Sequence, residues 1–196
     1  MKLIRILLIL IVTYTGPQPW VKAEDIREFE IEGLAIGKSL LSFFDEKHII
    51  DNNANYPYHN DKFYVSSFYN EKFYETYESI EIHLKKDDDK YKIYAVDGMI
   101  FYENIDACYP KQQQIAQELD KMFKNTKMVD AGIRKLDNDY TGKSKLKTFY
   151  WKFSSGDFLA VECYDWSEEI FEKNSWYDNL RISIVSKELN DWLIQN

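Results

Sequence analysis

Glycine and proline are scarce in this chain, seven and four among 196 residues, which excludes a collagen-like, linker-rich or low-complexity protein. Histidine is scarcer still. His48, His59 and His83 are the only three, so a histidine-built metal centre has little to draw on. The sequence has no HExxH, no nucleophile elbow and no glycine-rich phosphate loop, and it contains no Asn-x-Ser/Thr sequon. A catalytic dyad at His83 would need a nucleophile that nothing in the sequence supplies. No carboxylate pair of glycosidase type announces itself either. We therefore assign no catalytic residue, no metal ligand and no cofactor. Positive charge is also in deficit: 25 Lys and Arg face 33 Asp and Glu, for a net charge of −8. Such a chain is a poor binder of nucleic acid and is repelled by anionic lipid, whereas a cationic partner or a neutral ligand suits it.

What is present begins with a secretory signal pattern. Lys2 and Arg5 flank the apolar run Leu3–Val12, and Val21-Lys22-Ala23 offers small residues where a signal peptidase cuts. Cleavage between Ala23 and Glu24 is expected, which takes the formal charge from −8 to about −11. The alternative is a retained anchor, although the run is short for a membrane span and no second run of spanning length follows. The expected location is periplasmic or secreted. In that setting the only two cysteines, Cys108 and Cys163, are expected to form a disulfide, the alternative being two buried thiols.

Residues 24–196 read as a single α+β domain with two similar halves, about 24–105 and 106–196. Ser39 is placed to cap a short helix carrying Leu40, Leu41, Phe43 and Phe44. Strands are expected at Phe63–Tyr69, Tyr77–Lys85 and Tyr91–Tyr102, with Gly98 marking a bulge. A helix follows from Asp106 or Pro110, with Ile115, Leu119, Met122 and Phe123 forming its apolar stripe. The stretch 125–145 reads as loop. Three more strands are expected at Lys145–Phe153, Asp157–Trp166 and Tyr177–Val185. Ser186 then caps a last helix with Leu189, Trp192 and Leu193 on one face. Short connections imply hairpins, hence one antiparallel sheet built from two helix-plus-three-strand units with the helices on one face.

Glu30–Leu41 (EIEGLAIGKSLL), Glu162–Ser167 (ECYDWS), Tyr177–Ile184 (YDNLRISI) and Leu189–Leu193 (LNDWL) resemble a family of small exported bacterial proteins. The resemblance covers most of the chain after the signal and implies export without implying an activity. Gly37-Lys38-Ser39, opening a helix ahead of antiparallel strands, is similar to the β-lactamase-inhibitor-protein and SmpA/OmlA outer-membrane-assembly lipoprotein folds. Those are binding modules. This chain lacks the lipid-bearing cysteine of the lipoproteins, so membrane tethering does not follow.

Two patterns bear on function. Asp137-Asn138-Asp139-Tyr140-Thr141-Gly142 resembles the start of a calcium loop, but the twelfth position, where a bidentate Glu belongs, is Thr148. A solvated turn is the expected reading. In the later strands, alternation points Phe149, Trp151, Leu159, Val161, Cys163, Leu180, Ile182 and Ile184 inward. The opposite face then carries Tyr150, Tyr164, Trp166, Tyr177 and Arg181, residue types common at binding hot spots. Ordinary cross-strand aromatic pairing is the competing reading of that face. The functional expectation is a soluble exported binding module for an unknown protein or small ligand, with a small periplasmic hydrolase as the alternative.

Overall fold

The computed structural model describes residues 26–54, 62–137 and 139–195. The signal pattern and His59 lie outside these residues. Seven strands form one antiparallel sheet: β1 (Phe63–Tyr69), β2 (Ser79–Lys85), β3 (Ile93–Phe101), β4 (Val129–Lys135), β5 (Lys145–Lys152), β6 (Phe158–Asp165) and β7 (Asn179–Val185). Their spatial order is β1-β2-β3-β7-β6-β5-β4. Two runs of sequential antiparallel strands, β1–β3 and β4–β7, thus lie side by side through the pairing of β3 with β7, with α3 between β6 and β7. The helices are α1 (Glu46–Asp51), α2 (Cys108–Met122), α3 (Glu168–Asn174) and α4 (Lys187–Gln195). Both β4 and α3 are additions to the expected order.

The strands form where apolar residues alternate with polar ones. Ile80, Ile82 and Leu84 point to one face and Glu81 and His83 to the other, so the register is fixed by which set can leave water. The inner face buries Ile80, Ile82, Val96, Phe149, Trp151, Val161 and Ile184 in one cluster with Ile31, Leu34, Leu40 and Ile49 from the N-terminal segment. Helix α2 covers β6 and β7 on this face. Of the expected stripe, Leu119 and Phe123 are buried and Ile115 packs against the core, while Met122 is exposed; Cys108, Gln112 and Ala116 complete the buried face. Gln112 can stand in the core because its side-chain amide donates to the backbone oxygens of Lys147 and Val161, both at 2.8 Å.

Three further expectations need correction. The helices do not share one face: Leu189 and Trp192 of α4 pack on Phe63, Tyr94 and Ala95, on the side of the sheet opposite α2. An apolar patch at that end of the outer face makes this possible. Gly98 marks no bulge; it pairs regularly with Ile80 and Ile182, and the irregularity lies between His83 and Leu84. Gly98 is needed instead because a Cβ there would lie 2.7 Å from the Tyr77 ring. Finally, 129–135 is a strand rather than loop. It escapes a pattern reading because, at the sheet edge, six of its seven residues are exposed and no alternation is imposed.

Cys108, at the start of α2, is bonded to Cys163 in the middle of β6, across 55 positions of chain, and both are fully buried. The bond ties the covering helix to the sheet. In the chain-entropy model a loop of that length contributes roughly 4 kcal/mol. Free-thiol titration of the unfolded, unreduced protein should accordingly find none. Cys163→Ser should lose on the order of 2–5 kcal/mol in denaturant titration.

Candidate functional site

The outer face has three zones. Helix α4 covers one end. In the middle, cross-strand register lines up Ser67, Glu81, Asp97 and Ser183 in one row and Met99, Arg181, Glu162 and Thr148 in the next. The far end is open among the described residues. Strands rarely carry so many charges on a covered face, and these are held by one another.

Arg181 is the hub of the middle zone. Its guanidinium lies 3.5 Å from Glu81 Oε2 and 3.9 Å from Asp97 Oδ2, and it donates to Met99 Sδ at 3.2 Å. It also lies over the Tyr164 ring, 5.0 Å from the centroid. His83 Nε2 is hydrogen-bonded to Asp97 Oδ2 at 2.9 Å. Burial works against the Asp97 carboxylate, but the hydrogen bond and charge of His83, with Arg181 and Ser183, outweigh it and hold the carboxyl below its ordinary range. Glu162 behaves oppositely. Burial pushes its carboxyl up, and the attraction of Arg181 and the hydroxyl donors of Thr148 (3.0 Å) and Tyr164 (3.1 Å) only partly compensate. Burial, with Glu162 beside it, also drives the Tyr164 phenol well above its usual value.

Beyond this network the face opens into a cleft of about 950 Å³. The sheet supplies its floor through Glu81, Met99, Asn179 and Arg181, and Tyr69, Phe101, Tyr164, Trp166, Trp176 and Tyr177 supply aromatic walls. Asn52–Ala54 lines the β1 side, where Asn53 bridges to Ser66. The opposite wall is set by α3. Ser167 accepts from the Ile170 N–H as N-cap, two glutamates follow in the first turn, and Ser175 ends the helix in a left-handed conformation. That reversal brings Trp176 to 4.7 Å from Trp166 and Tyr177 to 6.0 Å from Phe101.

Of the residues expected on this face, Tyr164, Trp166, Tyr177 and Arg181 line the cleft together. Tyr150 is on the same face but lies outside the cleft, stacked on Phe158 at 5.3 Å. Alternation also puts Asn179 on this face, beside Tyr177 and Arg181, and it lines the cleft; Trp176, Asp97 and the α3 wall were not anticipated. Ser167-Glu168-Glu169 was a legible helix start, and Asp97 in the middle of an apolar strand was a legible anomaly.

The calcium-like loop is spent on itself. Asp139 Oδ1 accepts from the Thr141 N–H, and Oδ2 accepts from the Thr141 hydroxyl and the Lys143 and Ser144 N–H groups, at 2.7 to 3.1 Å. The expected solvated turn is present, with Tyr140 69% exposed, but Asp139 itself is turned inward and only 5% exposed. Burial opposes its charge, but the donors of Ser144 and Thr141 outweigh this and hold the carboxyl far below its ordinary range. Among the described residues no group of three or more His, Cys, Asp or Glu is arranged to hold a metal ion. Millimolar calcium should leave the melting temperature unchanged, and an upward shift in a calorimetric scan would contradict this.

The opposed carboxyls give a pH prediction. A carboxyl whose folded pKa is raised favours folding below its unfolded value and loses that contribution as pH rises through the folded value. Glu162→Gln removes the titration. The variant should therefore gain stability relative to the parent as pH rises above the ordinary carboxylate range, with the difference shrinking towards acid; a pH-independent difference in denaturant midpoints would contradict the assignment. In comparisons with known proteins, no family model, no curated protein and no solved structure matches this chain.

Proposed function

We propose that this chain is a binding module whose ligand occupies the aromatic cleft on the outer sheet face. The observation that carries the reading is the cleft itself. Its volume of about 950 Å³ is at the upper end for small-ligand sites, and its lining mixes aromatic walls with a few fixed polar groups. The rings of Tyr69 and Tyr177 remain largely exposed, as a surface kept for contact would have them. The walls are also pre-built: the caps of α3 and the buried Arg181 network hold the rings before any ligand arrives, which lowers the cost of binding.

Hydrolysis is the second reading. A pair of carboxyls with oppositely displaced pKa values, Asp97 and Glu162, is what acid–base chemistry requires. Neither lines the cleft, however, so neither is placed to exchange a proton with an occupant. Binding without turnover is the better-supported reading. We place its action outside the cytoplasm on the strength of Leu3–Val12, Val21-Lys22-Ala23 and the Cys108–Cys163 bond, which an oxidising compartment preserves.

Tyr177 is the residue with which to test the cleft, because at 52% exposed its loss removes little buried area. Tyr177→Ser should leave the melting temperature within about a degree or two. It should also weaken any ligand found by thermal-shift screening by about thirty-fold, as for the loss of a hot-spot aromatic. Ligands held equally well by the variant would overturn the assignment of the cleft.

A further inference from the structure

The geometry points to a ligand class: we propose that the cleft binds a primary ammonium group carried on an apolar stem, as in a lysine side chain or a polyamine. The inference rests on the binding reading above and goes beyond it in naming the chemistry recognised.

Charge is the first support. Among the described residues the lining includes two carboxylates, Asp51 and Glu81, and one cation, Arg181, and no lysine. The positive charge of Arg181 is already faced by Glu81 and Asp97, so the floor has no positive charge to spare. Asp51 is paired with Lys47 one helical turn earlier, so the surplus negative charge is that of Glu81 and Asp97 against the single guanidinium, and an anion entering would meet it with no spare cation on the floor. A cation would meet an excess of negative charge, in a chain whose net charge is −8.

The aromatic walls are the second. A cation is attracted to the face of an indole or phenol ring, more strongly where water is excluded. This structure already uses that attraction, since the Arg181 guanidinium lies 5.0 Å from the Tyr164 centroid. Trp166 and Trp176, tilted at 55° to each other, offer two further ring faces to an apolar stem and its charged tip.

The third observation is independent of charge. Asn179 lines the cleft and is 4% exposed, with Tyr164 and Phe101 as its cross-strand neighbours. Its amide nitrogen donates to the Tyr177 backbone oxygen at 2.9 Å, which fixes the orientation of the amide. Its Oδ1 is buried and, among the described residues, accepts from nothing. An acceptor left empty is costly and calls for a donor. A primary ammonium brings three N–H groups and needs no acceptor in return; a quaternary ammonium brings none. Cation, ring face and donor together select a primary amine over a sugar, an anion or a choline-like group.

The test uses two probes: spermine, and the peptide acetyl-Gly-Lys-Gly-Lys-Gly-amide. Each is titrated against its fully N-acetylated form, which keeps the stem and removes the charge. Tryptophan fluorescence reports the cleft and calorimetry gives the affinity. The expected result is saturable binding of at least one charged probe and at least tenfold weaker binding of its acetylated form. Tyr177→Ser and Glu81→Gln should each weaken the charged probe by tenfold or more. Should Glu81→Gln fold poorly, Asp51→Asn on the exposed rim takes its place. Binding of spermine alone assigns the site to polyamines, and binding of the peptide alone assigns it to lysine side chains. Equal or tighter binding of the acetylated forms overturns the ammonium inference and leaves the cleft assignment standing. Binding of the charged probes that is indifferent to both variants is diffuse attraction to an acidic surface and overturns the inference as well. If neither probe binds while another ligand is lost on Tyr177→Ser, the ammonium inference fails alone.

Discussion

The structure depends on the pairing of β3 with β7. β7 is the last strand in the chain but sits near the middle of the sheet, flanked by β3 and β6. Ile184 and Ile182 close the inner core against Val96 and Val161, and Arg181 reaches Glu81, Asp97 and Tyr164 only from this position. Until β7 docks, the two runs of strands have no common edge, and the carboxylates of the outer face lack their guanidinium. Pairings this distant in sequence carry a large loop-closure cost before they stabilise anything, so the sheet should form late and cooperatively. The Cys108–Cys163 bond lowers part of that cost by holding α2 to the strand beside β7.

The buried charges in the middle of the outer face have a structural use. Removing ionised groups from water costs several kcal/mol each, and their attraction repays this only when geometry and hydrogen bonds are complete. Here three carboxyls share one guanidinium and one imidazole, and the imbalance is resolved by displacing Asp97 and Glu162 in opposite directions. Such a set fits only one register of β2, β3, β7 and β6. A two-residue slip would keep the apolar residues inward and still separate Arg181 from its partners. Register specificity is thus encoded on the polar face as well as in the core.

Strands were legible in the sequence where the two faces differ sharply, as at Ile80–Leu84 and Leu159–Cys163, and so was the side of the sheet that carries the cleft. Helix α4 was misplaced because Phe63, Ala95 and Val185 form an outward apolar patch that comes together only once β1, β3 and β7 share a sheet. The α2 stripe was legible at Ile115, Leu119 and Phe123 but not at Gln112, a polar residue among core positions that only the strand carbonyls of Lys147 and Val161 make tolerable. Trp176 could not be placed without the left-handed turn at Ser175, a conformation that serine rarely adopts and no local pattern announces.

The edges of the sheet bear on how anything can approach it. On the β4 side, a bulge between Asp130 and Ile133 breaks the ladder, the Gly132 N–H is spent on Asp130 Oδ1, and Arg134 and Lys135 follow. On the β1 side, the Asn52–Ala54 segment takes up backbone groups of Val65 and Ser67. Such edges discourage the addition of further strands. The chain is thereby protected from growing into ribbons of its own copies. A visitor is left to meet side chains on the face rather than main chain at the margin, so selectivity would reside in a handful of rings and carboxylates.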